Sequence, residues 1–159
     1  MVASGELPSF EFSEWLVVSG TYRLRVVVIY RVPYSVEHPV STNVFFTEFS
    51  DYMETVIMST EKLVILGDFN IHIDVPSDVD ARKLEDLFDC LSLEQHVREP
   101  THTQGHTLDL IISRKCQFVI DGSPRVDRLF SDHFSVICGL QMPKSTVSVR
   151  NILTEISRV

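Results

Sequence analysis

The sequence is short of positive charge. It has 14 lysines and arginines against 22 aspartates and glutamates, for a formal net charge of −8. A protein that holds nucleic acid by charge alone is normally basic, so the balance counts against a passive nucleic-acid-binding module. It fits better with a carboxylate-rich site that recruits a divalent cation, which then meets a phosphate. Cysteine is scarce as well. Cys90, Cys116 and Cys138 are odd in number and widely spaced, which argues against a disulfide framework and against a CxxC zinc site. Each lies in or beside an apolar stretch and is expected to be a reduced, partly buried thiol. Long hydrophobic runs are missing: residues 26–30 are typical, far short of the roughly 20 residues of a membrane span. The start, Met-Val-Ala-Ser-Gly-Glu, has no basic region followed by an apolar one, so no secretory signal is expected. Internal repeats and low-complexity blocks are absent too.

What is present is an ordinary globular composition, 44% apolar and 23% charged over 159 residues, enough for one domain with a real core. Residues 1–21 are weakly patterned, with Gly5, Pro8 and Gly20 as breakers, and receive no assignment. From Arg23 the chain alternates and then becomes continuously apolar up to Tyr30, the pattern of a buried strand, and Pro33 ends it. Phe45, Phe49, Tyr52 and Val56 fall at helical spacing, with Ser41 or Thr42 available as a cap. Leu63-Val64-Ile65-Leu66 is a second buried strand, stopped by Gly67. A second helix is expected where Leu84, Leu87, Phe88 and Leu91 share a face, capped within residues 77–80. Residues 108–113 and 134–140 read as later strands, with a loop marked by Gly122 and Pro124 between them. The tail, residues 141–159, is assigned no fold. Helices alternating with strands early, and strands crowding late, predict a layered α/β or α+β sandwich over residues 22–140.

Four polar constellations sit where strands end, the place where a scaffold presents chemistry. In Gly67-Asp68-Phe69-Asn70, two polar side chains at i and i+2 emerge together from an extended backbone. Asp68 is suited to orienting or deprotonating a water, and Asn70 to donating hydrogen bonds to that water or to phosphate oxygens. An Asx turn that merely closes a strand fits the same residues. In Ser131-Asp132-His133, a carboxylate beside an imidazole offers a metal ligand and a phosphate donor. A strand start with a satisfied histidine is the plainer reading. Asp109 lies inside an apolar run, Thr107-Leu108-Asp109-Leu110-Ile111-Ile112, where a carboxylate is costly unless partnered or turned to solvent. Pairing with His133 would satisfy it and raise the imidazole's pKa. Tyr30 ends the first strand, where its phenol reaches a phosphate or simply packs with a wet tip. The histidines His38, His72, His96, His102 and His106 are read as structural or loop residues, because none shows ligand spacing with cysteines.

Taken in order, Gly67-Asp68-Phe69-Asn70, then the run from Pro100-Thr101-His102 through Gly105-His106-Thr107-Leu108-Asp109, then Ser131-Asp132-His133 resemble the endonuclease/exonuclease/phosphatase superfamily. The likeness is greatest to the endonuclease domains of non-LTR (LINE-type) retrotransposons. It covers roughly residues 22–140 and includes Tyr30 in Val-Ile-Tyr-Arg. The resemblance implies a DNase I-like, four-layered α/β sandwich that hydrolyses phosphodiesters with Mg²⁺ or Mn²⁺. By it Asp68 orients the attacking water, and Asn70 supports that water and the phosphate. Asp132 binds the metal, and His133, oriented by Asp109, stabilises the transition-state phosphate. DNA is the implied partner, which would place the protein inside the cell and in the nucleus if genomic DNA is the target.

One departure stands out. The family's opening strands contribute an asparagine and a metal-binding glutamate, and Glu6, Glu11 and Glu14 lie in no matching context. The resemblance therefore covers the later portion of the fold, with the front portion missing. That implies weak cation binding, low turnover and an apolar sheet face open to self-association. Two other functions stay open: a catalytically inactive remnant or interaction module, and a lipid or small-molecule phosphodiesterase on the same fold.

Overall fold

The computed structural model describes residues 1–128 and 131–142, and most of the 141–159 tail lies outside the described residues. The elements run β1 (Ala3–Glu6), β2 (Phe10–Ser19), β3 (Tyr22–Arg31), α1 (Thr42–Ile57), β4 (Lys62–Asp68), α2 (Val79–Cys90), β5 (Leu93–Gln95), β6 (Asp109–Arg114), β7 (Ile120–Asp127) and β8 (Ser135–Leu140). Among these, six strands form one sheet in the order β1-β2-β3-β4-β6-β5, and β7 and β8 form a second. Only β3 and β4 are paired in parallel, as a crossover through α1 requires.

The continuous apolar runs of β3 and β4 arise because both faces of these strands are covered. Val27, Ile29, Leu63 and Ile65 point to one face, where they meet Phe45, Phe49 and Met53 of α1 and Leu84 and Phe88 of α2. Phe10 enters this layer edge-on to Phe45 and Phe49, at ring-centroid separations of 5.8 and 5.9 Å, the favoured geometry for aromatic pairs. Leu24, Val64 and Ile111 point the other way, where Val119 and Ile120 cover them together with the partly buried Val126, Val136 and Leu140 of the second sheet. The molecule is thus layered as helices, large sheet and small sheet, in agreement with the sandwich that the sequence predicts. No helix among the described residues is long and apolar enough to cross a membrane.

Several local expectations are corrected. Residues 1–21 are not patternless coil: β1 and β2 extend the main sheet, and β2 pairs with β3 along its whole length. Glu14, one of the polar residues that hid the strand, has partners. Glu14 is buried between Arg25, with which it forms an ion pair, and the Tyr52 hydroxyl, which donates to it at 3.0 Å. The expected loop at Gly122 and Pro124 is strand β7, whose pairing with β8 shifts register between Asp121 and Arg125. Such a bulge is where a sheet tolerates glycine and proline. Ser41 caps α1 with no side-chain hydrogen bond, whereas the Asp78 carboxylate caps α2 by accepting from the backbone N–H groups of Asp80 and Ala81. Cys90 and Cys116 are exposed rather than partly buried, and only Cys138 is as expected. Over β1 and β2 the face opposite the helices is open, with Trp15 45% exposed.

Candidate active site

Strand register assembles the site. Tyr30 lies opposite Asp68, and Asp68 lies opposite Asp109, so the three side chains share one row on one face of the sheet. The row runs on through Glu11, opposite Tyr30, to Glu6. Gly67 delivers Asp68 to this row for a reason different from the expected exit from the sheet. Its φ is +145°, and a Cβ there would stand 1.8 Å from the Ile29 carbonyl oxygen. Close approach of β3 and β4 demands glycine.

Beyond Asp68 the chain turns sharply, and Asn70 has φ 49°. The two side chains therefore meet through a turn rather than through strand alternation, which corrects the extended geometry expected from the sequence. The Asn70 backbone N–H donates to Asp68 Oδ1 at 2.9 Å, and Asn70 Nδ2 donates to Asp68 Oδ2 at 3.0 Å and to the Arg31 carbonyl at 2.7 Å. The Asx turn and the functional arrangement are one structure. Both amide protons of Asn70 are engaged, so Asn70 clamps Asp68. Arg31, only 5% exposed, braces the same turn by donating to the carbonyls of Phe69 and Asn70 and to Thr42 Oγ1. Burial pulls its pKa down, and the carboxylates of Asp80 and Asp68 oppose that pull.

Asp109 is partnered as expected: its Oδ2 lies 2.9 Å from His133 Nδ1. His133 Nε2 in turn faces Asp68 Oδ2 at 3.9 Å. Burial by itself would depress the pKa of His133. The Asp109 hydrogen bond and the charges of Asp109, Asp68 and Asp132 outweigh it and raise the value above that of a free imidazole. Among the described residues, Asp68, Asp109 and His133 each offer a ligand atom, all within 4.8 Å of one another. Asp132 is not in this set. It points outward with a side chain 74% exposed, its Oδ2 3.7 Å from His102 Nε2. A hydrogen bond from its own backbone, aided by His133 and His102 nearby, holds its carboxyl below the usual carboxylate range.

The structure thus brings Asp68, Asn70, Asp109 and His133 together, sets Tyr30 beside them in the row, and leaves Asp132 at the rim. Three contributors were missed. Arg31 had one available signal, a charge closing a buried strand. Thr101 is fully buried, and its Oγ1 accepts from the N–H groups of both Leu108 and Asp109 at 2.9 Å, while its carbonyl accepts from Phe134 N at 2.7 Å. It therefore ties Asp109 to the segment that carries His133. His102 was read as a loop residue, yet its ring meets that of His133 edge-on, with centroids 4.9 Å apart. His106 does serve its loop: it pairs with Asp74 at 3.1 Å and stacks on His72.

A layered sheet sandwich with a carboxylate–histidine cluster at its strand ends has the architecture of the DNase I-like endonuclease fold. A solved structure of that kind, the endonuclease domain of TRAS1, a telomere-specific non-LTR retrotransposon, superposes with a TM-score of 0.62 at 18% identity, covering 77% of this chain. This chain spans 58% of that domain's length. The endonuclease-reverse transcriptase family matches residues 24–137, and the chain belongs to that family. No curated protein matches it.

Proposed function

We propose that this chain hydrolyses DNA phosphodiester bonds with the help of Mg²⁺ or Mn²⁺, and does so slowly. The observation that carries the reading is His133 held between two carboxylates, hydrogen-bonded to Asp109 and facing Asp68. A raised pKa in that position favours the protonated ring, a donor suited to negative charge growing on a phosphate oxygen. Asp109 fixes the ring and its protonation. Asp68, gripped on both oxygens by Asn70, would orient a water for attack and take its proton. Tyr30, opposite Asp68, would contact the scissile phosphate.

The donor set fits a hard divalent cation. Magnesium is commonly bound by one or two carboxylates, several waters and the substrate's phosphate, and Asp132 offers a solvent-facing carboxylate at the rim beside the cluster's Asp68 and Asp109. When bound, the cation would supply Lewis-acid polarisation of the phosphate and charge neutralisation. The short ligand list is the basis for slow turnover: no glutamate belongs to the cluster among the described residues. That feature also supports the second reading, an inactive remnant. Fold leaves a third open, a lipid or small-molecule phosphodiesterase. The open face over β1 and β2 supports self-association, which sedimentation would read.

Incubation of supercoiled plasmid with the protein in EDTA, Mg²⁺ or Mn²⁺, beside a water-soluble glycerophosphodiester, separates the three. Metal-dependent nicking without glycerophosphodiester hydrolysis is expected. Nicking that persists in EDTA would refute the cation's role. Glycerophosphodiester hydrolysis without nicking would replace DNA as the substrate, and inertness toward both by folded protein would favour the remnant.

A further inference from the structure

The exposed Asp132 carboxylate sits on a bend in the connection between β7 and β8, and free rotation there would cost affinity for anything it binds, because ordering a side chain costs entropy. The structure provides a restraint. The hairpin bearing His102 is closed by hydrogen bonds from His102 N to the His106 carbonyl at 3.1 Å and from Gly105 N to the His102 carbonyl at 2.9 Å. It is lashed to the segment bearing Asp132 and His133 by Thr103 N to the Asp132 carbonyl at 2.9 Å and by Phe134 N to the Thr101 carbonyl at 2.7 Å. His102 and His133 form the β-bridge between the two segments. Backbone bonds on both sides therefore fix where the His102 ring stands relative to Asp132.

The ring's own chemistry is fixed as well. The Gln104 backbone N–H donates to His102 Nδ1 at 3.2 Å, which makes Nδ1 an acceptor and leaves the ring proton on Nε2. Nε2 faces Asp132 Oδ2 at 3.7 Å, roughly 0.8 Å longer than an ordinary N–H···O bond and within the reach of a small side-chain rotation. The ring is 12% exposed, against 74% for Asp132, so the buried partner is the rigid one. Asp132's other oxygen lies 3.5 Å from the Ser131 hydroxyl.

We infer that His102 is a positioning residue for Asp132: its Nε2–H, set by Gln104, holds one carboxylate oxygen so that the other is presented to the cation. The inference rests on the reading of Asp132 as a cation ligand. Partners of this kind, which orient a ligand without touching the metal, typically change metal affinity by about 10- to 100-fold when removed.

The test is Mn²⁺ binding to the whole chain, read by the electron paramagnetic resonance signal of free Mn²⁺ and therefore independent of turnover. His102→Phe keeps a ring against His133 and loses the donor, and His102→Gln keeps an N–H near the Nε2 position. The expected results are a Kd about 10-fold weaker for His102→Phe, a Kd close to wild type for His102→Gln, and His102→Phe/Asp132→Asn binding no more weakly than Asp132→Asn alone. Equal melting temperatures keep the comparison to folded protein. Wild-type affinity in His102→Phe, with binding lost in Asp132→Asn, would overturn the role of His102 and leave Asp132's intact. Equal weakening in both His102 variants would assign the effect to packing and overturn it as well. Unchanged binding in Asp132→Asn would remove Asp132 from the cation site and the inference with it.

Discussion

Alanine at Gly67 is the most informative single change, because two costs can be separated. The first is conformational: placing a non-glycine residue at positive φ costs about 1–2 kcal/mol. The second is steric. The new Cβ would stand 1.8 Å from the Ile29 carbonyl oxygen, a backbone atom in the middle of the sheet that cannot swing aside as a side chain would. Overpacking of this kind costs about 1–3 kcal/mol or more. Together they amount to roughly 2–5 kcal/mol, a large share of the 5–15 kcal/mol that holds a typical domain, and a melting-temperature drop of about 4–20 °C for a chain of this size. Gly105→Ala is the matched control. Its φ is +86°, and nothing lies within 4 Å of the added Cβ, so it carries the conformational cost alone. Urea titration of both variants gives the difference directly. Equal midpoints for Gly67→Ala and Gly105→Ala would refute the claim that close approach of β3 and β4 dictates the residue before Asp68.

Asp109→Asn keeps the shape of the side chain and removes the charge that raises the pKa of His133. Nicking should fall about 100-fold or more with the melting temperature nearly unchanged, and a loss of only a few-fold would count against the dyad. His96 has its pKa lowered, chiefly by burial. The unfolded chain then takes up the proton first as pH falls, so stability is full above the free-imidazole value, near 6.5, and declines as pH drops from there toward the folded pKa. Urea midpoints between pH 5 and 8 should show this slope, and His96→Gln should flatten it. Asp78→Ala removes the carboxylate that accepts from two N–H groups at the start of α2 and should cost about 0.5–2 kcal/mol in the same assay. No measurable change would mean the cap bonds exchange freely with water.

The sequence made β3, β4 and α1 legible because each carries a pattern dictated by burial alone: strands covered on both faces, and an aromatic stripe against them. β1 and β2 carry no such signal. They lie at the sheet's edge with one open face, so their apolar residues Phe10, Phe12 and Trp15 are interleaved with Glu11, Ser13 and Glu14, and Glu14 is buried only because Arg25 and Tyr52 come from elsewhere to meet it. β7 was hidden by Gly122 and Pro124, which a bulge absorbs. In the site, Asp68, Asn70, Asp109 and His133 could be named because their types and order point to phosphate chemistry. The roles of Arg31, Thr101 and His102 depend on backbone groups of segments some 30 residues away meeting theirs. Sequence spacing does not report that. The turn at Asn70 stayed undecided for a related reason: Asp and Asn two residues apart suit an extended chain and an Asx turn alike, and the bonds to Arg31 select the turn.

Whether the Asp109–His133–Asp68 cluster cleaves phosphodiesters is tested most directly by Mn²⁺-dependent nicking of supercoiled plasmid by the purified chain beside His133→Ala. Slow, EDTA-sensitive nicking that disappears in His133→Ala is the predicted result. Nicking that persists undiminished in a correctly folded His133→Ala would place the activity elsewhere and contradict the account.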